Sequence, residues 1–414
     1  MRRLIARRLA PMRPDRPGEV LRDRAILVDD AGMVTAVVDV AADFDGETIA
    51  LGDDVLVLPG LVNAHTHLEL SNATPAASPG HLAEWLTAIV RSRQTGDSLA
   101  HAADAAQRGA AESLAFGVTT VGDITRFPAA TRPALRDGPL RVVSFGEVQA
   151  MAARRGLLGE RLAAATDASH DSPTLTTAVS PHAPYTVEEH GYDACLAWAE
   201  RARRPICTHL AEAAGEEEFL RHGNGPYREL WEAIDAWSDD VPTFNGSPLD
   251  VAKAVRLLDA AVPSLLAHVN HLDDRDLDLL ASGDASVAYC PRTHAYFGHP
   301  SHRFEAMLAR GVNVCLATDS KASSPDLNLV AELRHVRRER PHLDAATLWS
   351  MATWRPAAAL GLAGKVGQVT PGAHAHLAVF PDPGGDDPLA SVLNGEADAV
   401  RTLIAGRDVD SSTS

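Results

Sequence analysis

The chain is poor in lysine, in aromatic residues and in paired cysteines, and each shortage removes a class of protein. Its only lysines are Lys253, Lys321 and Lys365. Arginine carries nearly all the positive charge, a coding bias with no bearing on function. The formal net charge is −17, so a nucleic-acid or anionic-membrane partner would be repelled. No stretch approaches the ~20 apolar residues of a membrane span. The basic start, Met1 to Pro11, is broken by Arg7 and Arg8 and is too short and charged for a signal peptide. A cytoplasmic protein with a small-molecule substrate is expected, and a homodimer is admitted. Cys195, Cys207, Cys290 and Cys315 are scattered with no C-x-x-C pair, so buried reduced thiols are expected in place of a zinc knuckle or redox centre. There is no G-x-S-x-G elbow for triad chemistry. His67-Leu68-Glu69 imitates the H-x-E start of the zinc base deaminases, but the later P-C-x-x-C is missing.

With 45% hydrophobic and 5% aromatic residues, the composition is that of a soluble α/β protein rich in Ala, Val and Leu. Short apolar runs alternate with Ala- and Leu-rich amphipathic stretches, the pattern of βα units. Strands are predicted near Leu61–Asn63, Val118–Val121, Arg141–Phe145 and Leu175–Val179. Four more are predicted near Pro205–Cys207, Leu265–Ala267, Ser286–Tyr289 and Val312–Leu316. Eight strands over ~300 residues fit a (β/α)8 TIM barrel. An open doubly wound sheet loses ground because no Gly-rich fingerprint follows the first strand. The ends of the chain read as short β elements: Ala25–Val28, Val34–Val38 and Val55–Leu58, then His376–Phe380. The expected division is a small β-sandwich domain from residues 1–58 plus 366–414 and a catalytic barrel from 59–365. The stretch from Glu216 to Pro263 should add helices over the barrel mouth.

Catalytic side chains of a TIM barrel project from the C-terminal ends of its strands, and there the sequence repeatedly puts metal-competent groups. His65 and His67 close the first strand, Asp123 the second, Glu147 the third and His182 the fourth. His209 closes the fifth, His268 the sixth and Asp319 the eighth. Residues i and i+2 of a strand point the same way, so both imidazoles of His65-Thr66-His67 can reach one ion. Imidazole suits zinc or iron better than magnesium or calcium. His374-Ala375-His376 has the same spacing, lacks partners at strand ends and reads as a surface pair. His209 adds a third imidazole, and Glu212, three residues on, can carry protons beside the ion. Glu216, Glu217 and Glu218 show that acids crowd this helix start in any case. Asp319 supplies a carboxylate that can both ligate and take a proton. His268 can stabilise the developing adduct and is preferred to His271, because it follows its strand directly. His182 reads as a substrate contact. Glu69, Glu147 and Arg292 are candidates for the same job, as are Glu84, Trp85, Arg126 and His294.

Together, Leu58-Pro59-Gly60-Leu61-Val62-Asn63-Ala64-His65-Thr66-His67, His209-x-x-Glu212, His268 and Thr318-Asp319-Ser320 resemble the amidohydrolase superfamily, and in the right order. Within it the chain is similar to the cytosine deaminase-like branch. That likeness implies one divalent metal, zinc or else iron, held by His65, His67, His209 and Asp319. Binuclear relatives bridge two metals through a carboxylated lysine ending the fourth strand, and no lysine precedes Lys253. The runs Asn63–Ser71 and Tyr289–Pro300 look like the aminodeoxyfutalosine deaminase-like group, which acts on adenine-bearing nucleosides. Lys321 departs from that pattern by placing a cation beside Asp319. The activity implied is deamination of an aminopurine nucleoside or related nucleobase, with Glu212, His268 and Asp319 as the proton-handling and stabilising groups. Hydrolysis of another C–N or a C–halogen bond is the alternative, and a non-catalytic scaffold a remoter one.

Overall fold

The computed structural model describes residues 1–76, 82–94 and 98–409. Eight parallel strands follow one another around a single sheet: Leu61–Thr66, Val118–Thr125, Arg141–Val148, Leu175–Pro181, Ile206–Leu210, Ser264–His268, Ser286–Tyr289 and Val314–Leu316. The ring closes where Thr66 bridges Asp319 in parallel and the Asp319 N–H donates to the His65 carbonyl at 3.2 Å. The fold is therefore the (β/α)8 barrel expected from the apolar runs. Each predicted strand is present, several extended by the polar residues at their ends.

A second sheet joins the two ends of the chain. Val55–Pro59 pairs antiparallel with Leu377–Pro381, and Arg2–Leu9 pairs antiparallel with Leu21–Val28. The strand Arg2–Leu9 escapes sequence reading because its arginines interrupt the apolar run. In the fold Leu4, Ala6 and Leu9 face the core of this sheet, while Arg7 is exposed. Val55–Pro59 runs almost directly into the first barrel strand, so the terminal sheet anchors the strand that carries His65. Residues 410–414 of the expected terminal domain lie outside the described residues.

His374 and His376 are not a surface pair. Their rings stack at 5.1 Å, His376 is buried, and its Nδ1 accepts the Ala405 N–H at 3.1 Å. The pair belongs to the packing of the terminal sheet. The four cysteines are free and buried.

Inside the barrel, Phe145 and Cys207 precede Glu147 and His209 by two residues. They share the same strand faces, and both are buried in one apolar cluster. Strand spacing is tight where the site begins. A Cβ on Gly122 would lie 2.3 Å from the Ala64 carbonyl oxygen. Gly122→Ala should therefore force the first two strands apart, lowering stability by about 1–3 kcal/mol. Urea denaturation measures this, and an unchanged midpoint would contradict the packing described.

Candidate active site

The site stands at the C-terminal mouth of the barrel, where several strand ends turn through left-handed backbone. Ala211, His268, Val269 and Asp319 all have positive φ, from 49° to 71°. Such conformations are costly for residues with a Cβ and persist only where the surroundings enforce them. Glu212, Asp319 and His268, at or beside these turns, line one cavity.

Four donors converge. The Nε2 atoms of His67 and His209 are 3.3 Å apart. The Asp319 Oδ1 lies 3.5 Å from His67 Nε2 and 3.8 Å from His65 Nε2. A tetrahedral ion with ligands at ~2.0–2.1 Å spaces them roughly 3.3–3.4 Å apart. His65 Nε2 is buried without a hydrogen-bond partner. Burial, followed by repulsion from His209, His67 and His182, holds the His65 imidazole well below its ordinary value. Burial, then His182, brings His209 down to about 3. Both rings are thus held neutral, with lone pairs available to an ion. His209 donates its Nδ1–H to the His182 carbonyl at 3.1 Å, which leaves Nε2 as the coordinating nitrogen. The donor set fits one divalent ion of the kind imidazole favours.

Around these donors sit further titratable groups. His268 Nε2 is 3.4 Å from Glu212 Oε1. Burial, followed by Asp319 and Glu216, holds the Glu212 carboxyl well above the usual carboxylate range. Asp319 is pushed up to about 6 by burial, and Ser323 donates to its Oδ2 at 3.0 Å. His271 turns away, its Nε2 3.1 Å from His299 Nδ1. His268 lines the central cavity, His271 a separate one. Lys321 also points away, onto Glu112 at 2.8 Å.

Above this floor opens a cavity of about 900 Å³, including its mouth. His182 and Glu147 line it, with His182 Nε2 3.9 Å from Glu147 Oε2, and so do Trp85 and Arg126. Four other sequence candidates, Glu69, Glu84, Arg292 and His294, do not line it. Glu69 takes the backbone N–H of Arg126 at 3.0 Å and the Thr125 hydroxyl at 2.8 Å on its Oε2, which ties the turn after His67 to the second strand. Arg292 is engaged by Glu332 at 2.6 Å and Asp326 at 2.8 Å, and it secures the helix Leu329–Glu339. His294 packs edge-on against Tyr289. Sequence reading missed Arg154, Tyr185, Leu230, Trp231 and Ile234, which also line the cavity. Three of these come from the helical insertion over the mouth. The rise from Pro226 to Ala233 of an amphipathic helix carrying Leu230 and Trp231 was the available signal.

The chain matches the Amidohydrolase family across residues 56–409 and belongs to it. It is a hydrolase of carbon–nitrogen bonds, in a family that generally binds a divalent metal. A curated 5-methylthioadenosine/S-adenosylhomocysteine deaminase of Nitratidesulfovibrio vulgaris (strain DSM 19637 / Miyazaki F) is 30% identical, over 88% of this chain and 84% of the relative. Two solved structures share the fold. Helicobacter pylori aminofutalosine deaminase in complex with methylthio-coformycin has a TM-score of 0.85 at 21% identity, covering 99% of this chain and 100% of that one. A zinc-bound adenosine deaminase of Xanthomonas campestris has a TM-score of 0.82 at 23% identity, covering 98% and 92%.

If the four donors hold one ion, stripping it with a chelator should lower the unfolding temperature, and one equivalent of zinc should restore it. At a hundred times its Kd a ligand contributes about 2.7 kcal/mol. Scanning calorimetry reads the shift. The His209→Ala protein should show none, and an undiminished zinc response there would contradict the ligand set.

Proposed function

We propose that this amidohydrolase deaminates the adenine ring of a 5′-substituted nucleoside, using a single zinc ion held by His65, His67, His209 and Asp319. The observation that carries the reading is the convergence of Glu212, His268 and Asp319 with that donor set on the floor of one partly apolar cavity. The reaction exchanges the exocyclic amine for oxygen, consuming water and releasing ammonia.

The ion, when bound, lowers the pKa of water towards ~7 and so supplies a nucleophile at neutral pH. Glu212, beside it, takes a proton and delivers it to a ring nitrogen, which makes the amine-bearing carbon electrophilic. His268, held neutral by burial and neighbouring histidines, stabilises the oxygen that adds to the ring. Asp319 accepts the second proton and passes it to the amine, which departs as ammonia when its bond to the ring carbon breaks. His182 and Glu147 contact the nucleoside from the third and fourth strands.

The upper cavity supports the substrate class. Trp85, Leu86, Ile89, Leu230, Trp231 and Ile234 give an apolar wall. Arg126 and Arg154 line it too, with Glu147 3.4 Å from Arg126. An adenosine with a thioether or acid-bearing 5′ tail satisfies both features, in keeping with the curated relative's substrates. Aminodeoxyfutalosine, with its own 5′ extension, is the next candidate.

Ammonia release by the zinc-loaded protein from 5′-methylthioadenosine, S-adenosylhomocysteine, aminodeoxyfutalosine and adenine tests the reading. Glu212→Gln should cut kcat by about 10²–10⁴-fold with metal content intact. Equal turnover in that variant would remove Glu212 from the mechanism, and silence of the zinc-loaded wild type across the panel would overturn the deaminase reading.

A further inference from the structure

Glu216 is a fully buried carboxylate outside the reacting groups. It sits in the first turn of the helix Gly215–His222, where acids are ordinarily solvated and favoured by the helix dipole. Its neighbours Glu217 and Glu218 are exposed in that way, whereas Glu216 is completely buried. Burial pushes its carboxyl up to about 8, and its Oε1 has no hydrogen-bond partner. Burying such a group costs stability, and no salt bridge compensates it among the described residues.

What the carboxylate does is hold backbone. Its Oε2 accepts the Glu212 N–H at 3.0 Å, and the Ala211 N–H points to the same group. Ala211 is one of the left-handed residues, with φ of 49°, so a turn that the backbone disfavours is fastened at its N–H groups. From the other side, Asn270 donates its Nδ2–H to the Glu212 carbonyl at 3.0 Å, and the His271 N–H donates to the Ala211 carbonyl at 3.0 Å. Both peptide groups of Glu212 are thus held by side chains. Resting on the deaminase reading, we propose that Glu216 is a positioning residue for Glu212, clamping the turn after the fifth strand together with Asn270 so that the Glu212 carboxyl meets His268 and the reacting ring. Glu216 itself does not line the cavity.

The test compares Glu216→Leu, Glu216→Gln and Asn270→Ala, each zinc-loaded, by kcat, KM, metal content and amide hydrogen exchange of the segment 210–213. A misplacement near 1 Å costs roughly a hundredfold, so Glu216→Leu should lose about that in kcat with KM within about twofold and metal stoichiometry unchanged. Glu216→Gln keeps a carbonyl acceptor and should stay within about threefold of wild type. Unchanged kcat in Glu216→Leu, metal loss in step with activity, or a Gln variant as impaired as the Leu variant would overturn the proposal. Should Glu216→Leu fail to fold, Asn270→Ala decides: lowered kcat with KM and metal kept supports the clamp, and full kcat overturns it. If wild type releases no ammonia, the deaminase reading fails, while exchange still judges the clamp. Protection at 211–212 in wild type and the Gln variant, lost in the Leu or Asn270→Ala variant, supports it; equal exchange in all of them overturns it.

Discussion

Three imidazoles and a carboxylate crowded at one site, with His67 3.3 Å from His209 and Asp319 3.5 Å from His67 and 3.8 Å from His65, are the constraint on which the rest of this structure depends. Lone pairs brought that close, with His65 Nε2 buried and unpartnered, are unfavourable unless something positive lies among them. The chain meets the cost of assembling them with rigid elements. His65 sits on a strand tied directly to the terminal sheet, and Asp319 is bridged to that same strand at the seam of the barrel. The donors thus belong to the closure of the barrel itself.

The strain around the donors follows a common logic. A parallel strand that simply ran on would carry its last side chains up and away from the axis. The left-handed residues at the ends of the fifth, sixth and eighth strands bend the chain back, so that Glu212, His268 and Asp319 face one point. Other side chains near the mouth hold its turns. Asp123 accepts the Leu68 N–H at 2.9 Å, Glu69 the turn that follows Thr125, and Glu216 the turn before Glu212. Stability is spent on geometry at the mouth and recovered in the apolar layers below it.

Much of the fold was legible because its signals are local. Apolar runs mark buried parallel strands, and the two-residue period of a strand puts His65 and His67 on one face. The metal-competent residues at strand ends follow from the same period. Less was legible wherever a side chain's partner lies far off in sequence. Arg292 looks like a substrate contact until Glu332 and Asp326 are seen around it, and Lys321 looks like an intruder until Glu112 claims it. His376 resembles a ligand-spaced surface residue and is a packed one. The cavity wall was hidden for a related reason. Trp231 and Ile234 reach the site only through the docking of an inserted helix, and helix docking depends on contacts that no local pattern encodes.

The most direct test of the central claim is X-ray absorption at the zinc edge of the reconstituted protein. The account predicts one zinc per chain, surrounded by three imidazole nitrogens and one or two oxygens at ~2.0–2.1 Å, with no sulfur and no neighbouring metal. Sulfur at ~2.3 Å would draw in Cys207 or Cys290, and a metal neighbour at ~3.5–4 Å would make the centre binuclear. Either result would contradict the four-donor site on which this account rests.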